Sequence, residues 1–337
     1  MHRFLKLPRW RDQPRMPKSV PAAWIALTSS LLLLAVIFFV VTREHSFDTL
    51  ADVWDRTETG PFVLAILGMI AIQAIGAWRQ EVIMGADGLD HIDFWPLLRI
   101  QLVFQFAAHG APISALSELA KAAMVKLRFG LGTSQSLRLV LYDRTCGAVG
   151  AIIVGIFAVL GQMLVPTPPA LVKAQMLLWA TGCVGIAMLV AVGDWHINTR
   201  VEFLDRTARA IMGLGHILRR PVIVVKLLLA SSGLLLGFSA VFIVLAYGMQ
   251  IQVSILHVLL FMPLIFFVSA LPVFYRGWGG REAVVIATIG STGEVTSAEA
   301  MALSVAFGVV VFLASLPGLV LWIMRPSMRK EVRLEGE

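Results

Sequence analysis

The chain has 337 residues, of which 58% are hydrophobic and 15% charged, with a mean hydropathy of +0.82. Soluble domains run about 45–50% apolar and about 25% charged, so the composition excludes a soluble globular protein and predicts an all-α, polytopic helical integral membrane protein. The net charge of +7 comes from basic residues flanking apolar runs, the positive-inside pattern, and no nucleic-acid partner is expected.

In chain order, residues 1–21 form a basic cytoplasmic segment with six Lys or Arg and one acid before position 19. The uncharged run 22–41 is longer than a signal-peptide core and no small-residue cleavage pattern follows it, so it is expected to stay as a first crossing. Residues 42–60 hold five acids and two arginines and suit the outer face. Further crossings are expected at 61–77, 136–164, 171–192, 222–247, 254–271 and 301–324. The loop 193–221 carries five arginines and, like the tail 326–337, reads as cytoplasmic. Residues 22–325 then form a single transmembrane domain of the cytoplasmic (inner) membrane, with both termini inside. Seven clear runs are odd in number, so about 8 crossings are expected, including broken or re-entrant helices at 94–130 and 272–292. Irregular backbone at membrane depth is tolerated only where it is buried in protein or lines a wet cavity.

The segment 94–130 places Gln101, Gln105 and His109 at intervals of four, one face of a helix. Pro112 breaks the pattern, and Glu118 and Lys121, three apart, share the next face. Two readings stay open: a polar stripe leading to a charged pair that handles a head group, or an interfacial amphipathic helix. Asp143 and Arg144 follow inside an apolar run. Sequence neighbours do not face one another on a helix, so each needs its own partner, and Glu118 is a candidate for Arg144. The alternative places both at the cytoplasmic end, snorkelling to water.

The segment 272–292 begins at Pro272 and carries Arg276, Gly277, Trp278, Gly279, Gly280, Arg281 and Glu282. The glycines free the backbone to turn. A helix starting near Arg281 would present N–H groups and a partial positive charge to an anion. Arg276 and Arg281 suit phosphate, Glu282 can hold Arg281 in place, and Trp278 suits head-group depth. A tight cytoplasmic turn with interfacial anchors is the alternative. Both broken segments run small residue, Pro, break, charged pair, apolar helix, and paired broken helices point to a transporter site. His257 reads as a packing or interhelical hydrogen-bonding residue, and Gly147, Gly150 and Gly155 as close-packing positions.

Cys146 and Cys183 lie in apolar runs, and CxxC, HExxH, Walker A and GxSxG motifs are absent. No metal or cofactor is expected, and ATP-driven transport by this chain alone is not supported.

These residues resemble a known family. Pro112, Glu118 and Lys121 match its pattern of Pro, acid and base. "LYDRTCG" (141–147) is similar to its DR or ER segment, "LPVFYRGWGGREA" (271–283) to its LP…GxGxRE signature, and "AEAMALSVAFGVVVFLASLPGLVLWI" (298–323) to its closing helix. The family is the flippase-like membrane domain of lysylphosphatidylglycerol synthases and its stand-alone relatives. The resemblance covers roughly residues 60–325. The chain departs from the pattern at Leu116 and Ser117, where the family commonly has glycines, and at Lys121, where it commonly has Arg. The aminoacyl-transferase domain of full synthases is not expected here, so lysyl transfer is not. The resemblance implies translocation of an anionic phospholipid or lipid-linked glycolipid. Two other readings are an accessory subunit of a lipid pathway and a membrane enzyme on lipid-linked head groups. Membrane lipids are the expected partners, with a lipid-modifying enzyme or self-association as further ones.

Overall fold

A computed structural model describes residues 47–89, 92–109, 114–162, 167–192, 219–270 and 277–324. The run 22–41, both termini and the loop 193–218 lie outside them, as do Pro112, Pro272 and Arg276. The described chain contains α1 (Phe47–Asp55), α2 (Thr59–Ala86), α3 (Phe94–His109), α4 (Ser114–Phe129), α5 (Thr133–Gln162), α6 (Pro169–Val192), α7 (Pro221–Gly248), α8 (Ile255–Ser269) and α9 (Gly280–Thr288). A 3₁₀ turn (Ile289–Thr292), α10 (Ser297–Leu313) and α11 (Leu316–Ile323) complete it, and there is no strand among the described residues. The last two helices form one apolar stretch, Ser297–Ile323, opened by a capping box in which Thr296 and Glu299 satisfy each other's backbone N–H groups.

Five stretches are long and apolar enough to cross a membrane: α2, α5, the first 20 residues of α6, α7 and α10–α11. The polytopic all-α fold expected from composition is therefore what the chain adopts. The run 254–271, expected as a crossing, is different. Its helix α8 has 15 residues, about 22 Å at 1.5 Å per residue, against a hydrocarbon core of about 30 Å. It forms the first arm of a re-entrant hairpin, with α9 as the second. Both ends of that hairpin lie together, because Ser254 N–H donates to Glu294 Oε2 at 2.9 Å and His257 Nδ1 lies 3.0 Å from Glu294 Oε1. Burial pushes the Glu294 carboxyl up, but these two contacts outweigh it and hold it below the usual glutamate range.

The segment 94–130 makes a second hairpin, α3 and α4. Leu89, Ile92 and Phe94 before it share one apolar cluster with Phe129 and Leu131 after it. Asp87, just past α2, accepts Arg138 Nη2 at 2.7 Å, so the start of α5 lies at the end of α2.

The two hairpins enter from opposite ends. Helices α2 and α7 run antiparallel along their whole length: Glu58 N–H donates to the Gly248 carbonyl at 2.7 Å, Ile72 fills the space above Gly237, and Arg220 reaches the Ala86 carbonyl. The α3–α4 hairpin starts at the Ala86 end and the α8–α9 hairpin at the Gly248 end. Crossing helix, re-entrant hairpin, crossing helix thus occurs twice, in inverted orientation. The spacing is regular: α2 and α7 each have 28 residues, α3 and α8 begin at 94 and 255, and the two units end at 162 and 323. Each unit's last crossing packs on the other unit's hairpin through a glycine, Gly161 against Leu260 and Gly318 against the Leu102 carbonyl. The shared order of small residue, Pro and charged pair in the two broken segments is the sequence trace of this architecture.

Helix α6 stands outside the two units and packs on α5, where Trp179 lies on Gly155 and the buried Gln162 and Gln175 amides pair reciprocally. Its outer face is apolar and exposed, Leu177 by 69% and Met188 by 62%, as a lipid-facing helix requires. Cysteines placed singly at Asp93 and Thr133, in a chain lacking Cys146 and Cys183, are expected to react with an impermeant maleimide from one side of the membrane. Cysteines at Ser254 and Glu294 are expected to react from the other side. Labelling of all four from the same side would contradict the inverted hairpins.

Candidate functional site

The two hairpins meet at a cavity of about 400 Å³, within the range of small-molecule sites. Gln101 and Gln105 of α3, Lys121 of α4, Ser269 of α8 and Arg281 of α9 line it, together with Gln73 and Arg79 of α2 and Asp143 and Arg144 of α5. Phe104, Phe238, Phe266 and Phe307 supply an apolar wall.

Asp143 organises the first unit's share. Its Oδ1 accepts Arg79 Nε at 2.9 Å and its Oδ2 accepts Lys121 Nζ at 2.8 Å. The Lys121 and Asp143 side chains are more than nine-tenths buried, and that of Arg79 keeps a small exposed fraction. Lys121 also lies over the Phe104 ring, 5.1 Å from its centroid. One turn along α5, Gly147 has no side chain, and the Arg79 guanidinium occupies that space: a Cβ there would lie 3.2 Å from Nη1. Arg144, about 100° further round the helix than Asp143, forms an ion pair with Glu118. Neighbouring α5 charges thus take separate partners, and the α4 pair Glu118 and Lys121 supplies both. The Arg144 side chain is 44% exposed, so this second bridge lies at the margin of the site.

The polar stripe of α3 joins α2. Gln73 Oε1 accepts Gln105 Nε2 at 2.8 Å and Gln101 Nε2 at 3.3 Å. His109 turns away from the cavity: its Nδ1 lies 2.8 Å from the Gln105 carbonyl and its ring packs edge-on against Phe312.

The second unit builds a related arrangement with other chemistry. Gly277 and Gly279 adopt φ of +81° and +83°, values a Cβ would strain, and α9 starts at Gly280. Its first turn is occupied from within, since Glu282 Oε2 accepts the Gly279 N–H at 2.6 Å. Glu282 Oε1 accepts Arg281 Nη2 at 2.6 Å and the Ser304 hydroxyl at 3.2 Å. The Arg281 guanidinium lies 4.8 Å from the Trp278 ring and 5.7 Å from that of Phe307, and it fills the space above Gly308. Trp278 is therefore used in packing Arg281. Lys121 and Asp143 are 22 residues apart, as are Glu282 and Ser304, and each pair ties a hairpin's second arm to the next crossing helix. Gly147 and Gly308, four residues beyond, each seat a guanidinium.

Sequence reasoning missed Arg79, Gln73 and Ser304. Arg79 reads as the flank of a crossing ending at 77, but apolar Val82, Ile83 and Met84 follow it and α2 continues to Ala86. That continuation is the signal that the arginine lies inside the helix. Among the described residues no His, Cys, Asp and Glu group is arranged to hold a metal ion.

Removing one partner of a buried ion cluster strands the others. Asp143→Ala is expected to lower stability by about 3–5 kcal/mol, read as thermal unfolding in detergent. Replacing Arg79, Lys121 and Asp143 together by Leu, Met and Leu is expected to recover most of that loss. A cost below about 1 kcal/mol for Asp143→Ala would contradict the shared-carboxylate account.

No curated protein matches the chain. The family described as "Lysylphosphatidylglycerol synthase TM region" matches residues 25–318, from the run preceding α1 into α11. A match over most of the chain makes this protein a member of the lysylphosphatidylglycerol synthase transmembrane-region family.

Proposed function

We propose that the protein moves a phospholipid or lipid-linked glycolipid across the membrane, passing the head group through the cavity between the two hairpins. The observation that carries this reading is the cavity itself, a charged and amide-lined space where two oppositely directed re-entrant hairpins meet. A head group crossing bare hydrocarbon loses its water with nothing in return. Here Gln101, Gln105, Lys121 and Arg79 stand in for that water, and the phenylalanine wall suits the start of the acyl chains. Inverted units around a central site are the architecture in which one unit rocks against the other to expose the site alternately to each side.

Orientation follows from charge. Lys126, Arg128, Arg219 and Arg220 gather at the end where the α3–α4 hairpin starts, while Asp52, Asp55, Glu58, Glu294 and Glu299 lie at the other. By the positive-inside rule we assign the basic end to the cytoplasmic side of an inner membrane.

The test is reconstitution in vesicles carrying a trace of fluorescent phospholipid, with an impermeant quencher reading its arrival at the outer leaflet. Ala148 lines the cavity and carries no charge, and Ala148→Trp is designed to fill the space. Wild type is expected to move lipid, and Ala148→Trp, at an unchanged melting temperature, to fall to the rate of empty vesicles. Equal rates for the two proteins would contradict passage through this cavity.

A further inference from the structure

The charges at the cavity wall select its cargo, an inference that rests on the transport reading above. Among the described residues the ionisable groups at its wall are Arg79, Lys121, Asp143, Arg144 and Arg281. Arg144 has its own carboxylate in Glu118, and Arg281 has its own in Glu282. Asp143 alone serves two cations. Among the described residues one positive charge is left over, and it lies where Arg79 and Lys121 flank the carboxylate.

We propose that the cavity takes a head group bearing one net negative charge, a phosphodiester, and that Arg79 is the residue that holds it.

Arg79 spends Nε on Asp143, and its Nη1 and Nη2 make no hydrogen bond among the described residues. A guanidinium edge with two parallel N–H donors matches the two non-bridging oxygens of a phosphodiester. Gly147 leaves room for the guanidinium beside α5, and Asp143 fixes its Nε side, so the fork is held before a ligand arrives. Arg281 is less suited: both its Nε and its Nη2 are spent on Glu282, and rings cover it. A charge in excess counts for more in an apolar surround than in water. The same excess disfavours a head group that is itself cationic. Lysylphosphatidylglycerol, the lipid in the family's name, carries one phosphate and two amines and is therefore a poor fit to this wall.

The experiment is isothermal titration calorimetry of the purified full chain in detergent with short-chain lipids. The probes are dihexanoylphosphatidylglycerol, dihexanoylphosphatidylcholine, the lysyl ester of the first, and the tail-less glycerophosphoglycerol. Wild type is expected to bind the phosphatidylglycerol at least about tenfold more tightly than each of the other three. Arg79→Gln leaves Lys121 and Asp143 as a balanced pair, and the preference over phosphatidylcholine is expected to vanish. Arg79→Gln with Asp143→Asn restores one excess charge on Lys121 and is expected to restore that preference, which separates charge from a folding defect. A preference unchanged in Arg79→Gln, or absent from wild type, would overturn the proposal. Tail-less probe binding as tightly as lipid would assign the site to a soluble phosphodiester and overturn its lipid part. Charge-selective binding without lipid movement in vesicles would count against transport alone. Movement without charge selection would count against this inference alone.

Discussion

Asp143 is a carboxylate buried in the middle of a 30-residue apolar helix, and both of its oxygens are occupied by cations from other helices. A lone charge in that place costs several kcal/mol, so the helix is stable there only if α2 delivers Arg79 and α4 delivers Lys121. That requirement fixes three elements relative to one another. It sets how deep the α3–α4 hairpin dips, because Lys121 has to reach α5. The site and the fold are held by the same contact.

The second unit meets the same need differently. Its hairpin brings an acid, Glu282, where the first brings a base, and its crossing helix offers a hydroxyl, Ser304, where the first offers a carboxylate. The guanidinium comes from the hairpin in one unit and from the neighbouring crossing helix in the other, yet in both it settles on a glycine of the last crossing helix. The two halves have thus kept a geometry while exchanging the chemistry. The consequence is a cavity asymmetric in charge: Arg281 is neutralised by Glu282, whereas Arg79 and Lys121 share one counter-charge.

Much of this was legible in the sequence, and the parts that were not have physical reasons. Crossing helices announce themselves by length and apolarity, so α5, α6, α7 and α10–α11 are legible to within a few residues, whereas the expected crossing 61–77 stops well short of the end of α2 at Ala86. Adjacent Asp143 and Arg144 implied separate partners by helical geometry alone, and Glu118 was named correctly for Arg144. The hairpin at 254–292 was read as a crossing followed by a break, because a 15-residue apolar helix resembles a short crossing until its far end is seen to return to Glu294. Arg79 escaped notice since a basic residue after an apolar run normally marks the interface. The helix N-terminus at Gly280 was expected to await an anion from outside, but the N3 glutamate two residues later fills it, a pattern that the capping-box rule makes readable. Gln73 carried no signal that separates a cavity amide from one buried among helices, and only the fold decides that.

Transport through this cavity requires a lipid head group beside Arg79 and Lys121, between the two hairpins. Electron cryo-microscopy of the full chain in nanodiscs made from its native membrane lipids reads this directly. The account predicts head-group density within hydrogen-bonding reach of the Arg79 Nη atoms, with chains leaving along the phenylalanine wall. A cavity holding water alone, with ordered lipid confined to the outer faces of the crossing helices, would contradict it.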